Sequence, residues 1–331
     1  MRIFDNIEFQ SVDANGVTMR LALAGSGPLI ILCHGWPESW YSWRHQLPVL
    51  ADAGFRAVAY DVRGYGESDK PHEIEAYTLN ALAGDVVGII DALGYEQAIV
   101  VGHDWGGPIA LHTALTYPER ISAVGSLSVP HYLRPPIPAL DLWREVYKDR
   151  FFYQLYFLKE GIAEAEFEAD LRRSLYLTYT AIDARGMRHQ MQQHGSGLAG
   201  IKGPEASFLE GMHEFVEYPH WLQPEDLDYL VSQFKVSGKR GPFNRYRAQT
   251  IDWHESAHLD GAMIEQPAFF ITGDLDPVSQ FVPLEARITD LVKANYRNLL
   301  IAEELDNVGH WTAEEAPEQV NHHLLSFLGR L

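Results

Sequence analysis

Residues 98–107 read AIVVGHDWGG, and the fold class follows from this stretch. Four apolar residues typical of a buried strand run into a short turn around Asp104, and a helical pattern follows. Gly102 and Gly106 permit a sharp strand-to-helix turn that holds one side chain in a strained, exposed position. In known examples of this turn the central residue is a serine nucleophile. Asp104 is therefore predicted to be a carboxylate nucleophile, and the alternative is an aspartate that caps the helix.

Other apolar runs typical of buried strands lie on both sides of this turn, with helical patterns between several of them. Strands that alternate with helices predict an α/β fold with a mostly parallel sheet and helices on both faces. Asn15-Gly16 between two alternating segments predicts a β-hairpin. The predicted strands are Glu8–Asp13, Val17–Ala24, Leu29–Cys33, Phe55–Tyr60, Ala98–Val101, Val124–Val129, Ala268–Thr272 and Leu299–Ile301, and the predicted helices include Leu79–Leu93, Ile109–Tyr117 and Pro317–Leu328.

The alternation of strands and helices stops between about Pro130 and Pro267. This stretch opens with a proline-rich segment and continues with helical patterns rich in aromatic residues, at Phe151–Leu158 and Ala163–Tyr179. It therefore predicts a helical cap inserted into a core domain. The predicted parts are core residues 1–130, cap residues 131–265 and core residues 266–331.

Polar residues follow three of the other predicted strands. The loop Cys33–Glu38 comes after the first long buried strand, where an oxyanion hole belongs. Asp274 and Asp276 come just after a late strand, and His310 comes after the last one. The chain order Asp104, acid, His310 is the order of nucleophile, acid and histidine in the α/β-hydrolase fold.

The chain resembles the epoxide hydrolase family of α/β-hydrolases over nearly its whole length. The resemblance lies in His34–Ser39, Asp61–Gly66, Gly102–Gly107, Tyr153–Phe157, Asn244–Arg247 and Gly309–Trp311. Two departures are small: Trp36 stands where the family usually has Phe, and Arg245 where an aromatic residue is frequent. The resemblance implies epoxide hydrolysis without a cofactor or metal. It also implies that Asp276 is the acid of the triad and that Tyr153 and Tyr246 protonate the epoxide oxygen.

A carboxylate nucleophile suits attack on a saturated carbon in a strained or activated substrate, because attack on a carbonyl would give a reactive anhydride. Asp104 is therefore predicted to form an alkyl ester with the substrate. His310 is predicted to remove a proton from the water that hydrolyses this ester, and Asp276 to orient His310. The backbone N–H groups of Trp36 and Trp105 are the predicted oxyanion hole.

Three alternatives stay open. A haloalkane dehalogenase would use the same nucleophile, with N–H donors such as Trp36 and Trp105 for the halide. This hypothesis ranks after epoxide hydrolysis, because a halide needs no proton from a tyrosine pair. A zinc peptidase would use His254, Glu255 and His258, which form an HExxH motif. A binding protein without catalysis on the same scaffold is the third alternative. Residues 195–200, GSGLAG, match the GxGxxG pattern of dinucleotide-binding sites. No predicted strand precedes them, so they are predicted to form a loop.

The 331-residue chain has a formal net charge of −19. An acidic excess of this size repels nucleic acid and anionic membrane surfaces. The single cysteine, Cys33, excludes an internal disulfide framework. No apolar run approaches the ~18 residues of a membrane helix, and Asp5 and Glu8 stand where a signal peptide would be apolar. We therefore expect a cytoplasmic enzyme whose partner is a small hydrophobic epoxide, and the resemblance fits a homodimer.

Overall fold

A computed structural model describes residues 6–194, 202–281 and 287–331. The strands are β1 (Glu8–Ala14), β2 (Val17–Ala24), β3 (Leu29–Cys33), β4 (Arg56–Tyr60), β5 (Ala98–His103), β6 (Ile121–Leu127), β7 (Ile264–Gly273) and β8 (Tyr296–Leu305). They form one sheet in the order β1-β2-β4-β3-β5-β6-β7-β8. β1 and β2 form the predicted hairpin, β2 is antiparallel to β4, and the other neighbours are parallel, which confirms the mostly parallel sheet.

The two central strands of the sheet are buried along their whole length. Every residue of β3 and β5 is buried, as expected for strands covered on both faces. Each predicted strand overlaps an observed one. The strand predicted at Val124–Val129 extends too far, because Ser128 has a φ of +68° and leaves the extended conformation directly after β6.

Helices connect and follow these strands. They are α1 (Leu47–Asp52), α2 (Leu79–Ala92), α3 (Gly106–Thr116), α4 (Ala139–Val146), α5 (Tyr153–Phe157), α6 (Ile162–Ala169), α7 (Leu171–Ile182), α8 (Ala184–His194), α9 (Pro224–Ser237), α10 (Arg240–Arg247), α11 (Gln249–Glu255), α12 (Ile288–Lys293), α13 (Thr312–Glu315) and α14 (Pro317–Leu328). α3 packs against β5 and β6, and α14 packs against β8. Among the described residues, no helix combines the length and the apolar character needed to cross a bilayer.

The stretch between β6 and β7 contains helices α4 to α11 and no strand in its described part. The helical pattern predicted at Ala163–Tyr179 is confirmed, but it is divided between two helices, α6 and α7. Asp170 separates them with a non-helical backbone (φ −144°, ψ 82°), and its side chain accepts the N–H of Arg173 and so caps α7. The predicted loop at residues 195–200 lies outside the described residues.

Candidate active site

Asp104 occupies a tight turn between β5 and α3. Its φ of +48° is uncommon for a residue with a side chain. The glycines around it are required by close backbone approaches: a Cβ on Gly102 would lie 1.9 Å from the Gly106 carbonyl oxygen, and a Cβ on Gly106 would lie 2.0 Å from the Cys33 carbonyl oxygen. The residue at the N-cap of α3 is Trp105. The alternative of a helix-capping Asp104 is therefore wrong.

The turn brings Asp104 to two residues from distant parts of the chain. Asp104 Oδ2 lies 3.4 Å from His310 Nε2. His310 Nδ1 lies 3.0 Å and 3.1 Å from the two carboxylate oxygens of Asp276. Asp276 follows β7 and His310 follows β8, so neighbouring parallel strands deliver both residues to the same edge of the sheet. The structure thus joins the three residues in a chain from carboxylate to imidazole to carboxylate.

Asp104 and His310 shift each other's pKa in opposite directions. Burial lowers the pKa of the His310 imidazole, but the charge of Asp276 and the hydrogen bond to Asp104 outweigh burial and hold this pKa well above its usual 6.5. Burial raises the pKa of Asp104, but the hydrogen bond and charge of His310 outweigh it and leave this pKa below its usual 3.8. Both shifts favour the charge pair of an ionised Asp104 and a His310 imidazolium.

Asp276→Asn is expected to lower the pKa of the His310 imidazole, because it removes the largest of the charges that raise it. An NMR titration of the His310 ring in wild type and variant measures the change. Asp274→Asn is the matched control: Asp274 Oδ1 accepts the N–H of Val308 at 3.2 Å, and an amide oxygen preserves that bond. An unchanged His310 pKa in Asp276→Asn would contradict this electrostatic account.

The raised pKa of His310 also gives the free energy of unfolding a pH dependence of known sign. Because the folded state binds this proton more tightly, the contribution of His310 to stability is complete below the unfolded value of about 6.5. This contribution disappears as the pH rises through the higher folded-state pKa. The stability difference between wild type and Asp276→Asn, measured by urea unfolding, should therefore narrow at alkaline pH.

The predicted oxyanion loop contacts the nucleophile directly. The backbone N–H of Trp36 donates to Asp104 Oδ1 at 2.7 Å. Asp104 Oδ1 therefore faces an N–H donor, while Oδ2 faces His310. The matching role of the Trp105 backbone N–H stays a prediction.

Two buried residues without a predicted role connect this loop to His310. Glu38 accepts the N–H of Gly35 through Oε2, and its Oε1 lies 2.9 Å from His103 Nδ1. His103 Nε2 lies 2.7 Å from the His310 carbonyl oxygen. Both residues stand in the quoted sequence stretches, but no spacing rule pairs them, because the contact depends on how β3 and β5 lie side by side.

Asp104 and His310 line a cavity of about 130 Å³. Its other walls are mainly apolar and include Trp36, Phe151, Phe152, Phe208 and Phe281. Such walls favour a hydrophobic substrate and strengthen electrostatic interactions inside the cavity.

Tyr153 on α5 and Tyr246 on α10 line the same cavity. Their ring centroids are 5.9 Å apart, and their planes are inclined by 79°. Burial raises the pKa of both phenols above the usual 10, so both keep their protons at neutral pH. The structure thus brings two potential proton donors to the cavity that contains the Asp104 carboxylate.

The HExxH motif does not have the geometry that zinc binding requires. α11 ends at Glu255, and His258 lies in the following 3₁₀ turn with Nδ1 3.0 Å from the Glu255 carbonyl oxygen. The two histidines therefore do not share one face of a continuous helix, as the zinc peptidase alternative requires. Within residues 6–194, 202–281 and 287–331, no group of three or more His, Cys, Asp or Glu side chains is arranged to hold a metal ion.

Comparison with known proteins assigns the whole chain to one class. Residues 28–315 match the alpha/beta hydrolase fold family. The chain is 39% identical to Epoxide hydrolase A of Mycobacterium tuberculosis over 96% of each protein. It is 37% identical to Bifunctional epoxide hydrolase 2 of Rattus norvegicus over 95% of this chain, and it spans 54% of that longer relative.

A solved structure supports the same class. An epoxide hydrolase from an endophytic Streptomyces has a TM-score of 0.90 to this chain and is 40% identical, with 98% of this chain and 96% of that one covered. The chain therefore belongs to the epoxide hydrolase family of α/β-hydrolases, which confirms the resemblance found in the sequence.

Proposed function

We propose that this protein is an epoxide hydrolase that converts an oxirane and water to a vicinal diol through a covalent ester on Asp104. The observation that carries the proposal is the position of the Asp104 carboxylate, 3.4 Å from the His310 imidazole in a cavity that two tyrosines line. The names of the relatives support the same substrate class.

In the first step, Asp104 Oδ2 attacks a ring carbon of the oxirane and the carbon–oxygen bond of the ring breaks. Asp104 Oδ1 stays with the Trp36 N–H, so Oδ2, the oxygen on the His310 side, is the attacking atom. The leaving oxygen becomes an alkoxide unless it receives a proton. Tyr153 and Tyr246 supply hydrogen bonds and this proton.

In the second step, His310 removes a proton from a water molecule that attacks the ester carbonyl carbon. Formation of the ester removes the negative charge of Asp104, and with it one of the interactions that raise the His310 pKa. The imidazolium therefore releases its extra proton more readily once the ester has formed, and the neutral imidazole is the base of the second step. Asp104 Oδ1 carries the charge of the tetrahedral intermediate, and the N–H groups of Trp36 and Trp105 stabilise it.

The helices between β6 and β7 are proposed to form a cap, residues 131–265, over the carboxyl edge of the sheet. α5 and α10 of this stretch carry Tyr153 and Tyr246, whereas Asp104, Asp276 and His310 follow core strands. A cap that limits access of bulk water would exclude it during ring opening and strengthen the hydrogen bonds in the site.

A single turnover in ¹⁸O-labelled water, with excess enzyme and styrene oxide or trans-stilbene oxide, tests the proposal. The first diol is expected to carry unlabelled oxygen from Asp104, and mass spectrometry of the peptide is expected to find the label in Asp104. Label in the diol of the first turnover would instead mean direct attack by water and would overturn the ester mechanism.

Tyr153→Phe combined with Tyr246→Phe is expected to slow ester formation by roughly 10²–10⁴-fold, because the two phenols proposed to protonate the leaving oxygen are removed. Stopped-flow tryptophan fluorescence follows ester formation and hydrolysis separately. Tyr156→Phe is the matched control, since Tyr156 lies on the same helix but does not line the cavity. Ester formation at the wild-type rate in the double variant would contradict the proposed role of the tyrosines.

One observation favours haloalkane dehalogenation as a second candidate function. The buried indole N–H of Trp36 has no hydrogen-bond partner among the described residues, and Trp36 lines the cavity. A halide leaving group needs such a donor and no proton. Release of bromide from a bromoalkane at a rate comparable to diol formation, retained in the double tyrosine variant, would favour this candidate.

A further inference from the structure

Two glutamines, neither of which lines the active-site cavity, connect the two tyrosines. Gln154 follows Tyr153 on α5 and donates from Nε2 to the Tyr153 hydroxyl oxygen at 3.0 Å. Gln249 begins α11, and its Nε2 donates to Gln154 Oε1 at 3.2 Å and to the Tyr246 backbone carbonyl at 3.1 Å. A continuous chain of hydrogen bonds therefore joins the hydroxyl of one tyrosine to the backbone of the other.

The Tyr246 backbone carbonyl determines which atom donates and which accepts in every hydrogen bond of this series. The Tyr246 carbonyl can only accept, so the Gln249 atom beside it is the NH₂ group. The same NH₂ group faces Gln154, which must therefore present its oxygen. The NH₂ group of Gln154 is then the one that faces Tyr153. The usual ambiguity between the two amide orientations is thus removed by the surroundings.

The phenol oxygen of Tyr153 accepts a hydrogen bond in this arrangement, which affects both the position and the acidity of its proton. A hydroxyl has a single proton, and Tyr153 does not use it toward Gln154. The O–H is therefore free to point into the cavity. Burial raises the pKa of Tyr153, and the hydrogen bond from Gln154 opposes that rise, because an N–H donor stabilises a phenolate.

We propose that Gln154 is a positioning residue for the ring-opening proton transfer and that Gln249 is its anchor, an inference that rests on the epoxide hydrolase function proposed above. Gln154 directs the Tyr153 O–H toward the oxirane oxygen and stabilises the phenolate that remains. Gln249 holds Gln154 and, through the Tyr246 carbonyl, ties α5 to the segment that carries the second tyrosine.

The protons and electron pairs of this reaction balance within the proposed cycle. In ring opening, the Asp104 carboxylate forms the ester bond, the oxirane carbon–oxygen bond breaks, and the oxirane oxygen takes the proton of Tyr153. A phenolate remains. Hydrolysis of the ester by water regenerates the Asp104 carboxylate and the diol and releases one proton, which restores the phenol.

Gln154→Leu is expected to slow ester formation from styrene oxide by about 10–100-fold, the range for loss of one hydrogen bond to a charged group. Ester hydrolysis should change less than about twofold, because His310 and Asp104 are untouched. Gln249→Leu is expected to show a smaller effect on the same step. Gln190→Leu is the matched control, a glutamine on α8 whose Nε2 donates to the Ala181 carbonyl and not to either tyrosine. Stopped-flow single turnovers resolve the two rates.

Gln154→Glu gives a readout that a purely structural role would not change. An ionised glutamate accepts the Tyr153 proton and diverts it from the cavity, whereas a protonated one can again donate to the phenol oxygen. The rate of ester formation in this variant is therefore expected to recover as the pH falls. A folding defect would not produce such a recovery. A pH-independent ester-formation rate in Gln154→Glu would overturn the inference.

The failure of this inference is distinguishable from failure of the proposed function. If wild type forms no ester on Asp104 with styrene oxide or trans-stilbene oxide, the proposed function fails. If wild type forms the ester and Gln154→Leu forms it equally fast, only the role of Gln154 is overturned. An equal slowing of ester formation and ester hydrolysis in Gln154→Leu would also overturn it, because that pattern indicates general distortion of the site.

Discussion

Asp104→Asn is expected to lower the rate of diol formation by roughly 10⁴-fold or more, the scale of loss when a covalent nucleophile is removed. The side chain keeps its size, and its amide oxygen can still accept the Trp36 N–H that holds Asp104 Oδ1. It has no negative charge with which to attack a saturated carbon. Chromatography of the diol formed from styrene oxide measures the rate.

Asp104→Ala and Asp274→Asn complete this experiment. Alanine removes the complication that an asparagine beside His310 could hydrolyse back to aspartate and restore activity, which intact-protein mass spectrometry would detect. Asp274→Asn should retain turnover, since Asp274 supports its loop through the Val308 N–H. Wild-type turnover by Asp104→Ala would exclude Asp104 as the nucleophile.

His310→Gln is expected to separate the two chemical steps. Without the imidazole, water attack on the ester should slow by roughly 10²–10⁴-fold, the usual contribution of a general base. Ester formation does not need a base, so the enzyme should accumulate as the covalent adduct. Intact-protein mass spectrometry after mixing with styrene oxide should then find the protein heavier by one epoxide, on the peptide that contains Asp104.

His258→Gln is the matched control for this experiment. His258 is exposed, on the 3₁₀ turn after α11, and it belongs to the HExxH motif that offered the zinc alternative. This variant should turn over styrene oxide at the wild-type rate without accumulating adduct. Loss of activity in His258→Gln, or rapid turnover without adduct in His310→Gln, would contradict the assignment of His310 as the base.

The strand-to-helix turn at Asp104 was the structural feature that the sequence predicted most directly. Gly102 and Gly106 signal backbone approaches too close for a side chain, and such approaches depend on neighbouring residues and on one adjacent strand. The apolar runs predicted the sheet for a similar reason, since a buried strand needs a short continuous apolar segment. The division of Ala163–Tyr179 into two helices was missed because a single aspartate, Asp170, ends one helix and caps the next within a continuous helical pattern.

The sequence does not predict two sets of hydrogen bonds in the same way. One joins Glu38 to His103, and the other runs from Gln249 through Gln154 to Tyr153. The Glu38–His103 and Gln154–Gln249 contacts join side chains from distant parts of the chain at about 3 Å. A shift of one helix by a fraction of a turn would break these bonds without any change in hydrophobic pattern. Their partners are therefore set by packing and not by local sequence.

Local patterns in this chain were enough to establish an α/β fold, the turn at Asp104 and the order of its polar residues, because glycine geometry and hydrophobic periodicity act over a few residues. Three-dimensional packing decided which oxygen of Asp104 faces His310, that Tyr153 and Tyr246 line the same cavity, and that Gln154 meets Gln249. These features depend on distances between elements far apart in the chain, and hydrogen bonds form or fail within a few tenths of an ångström.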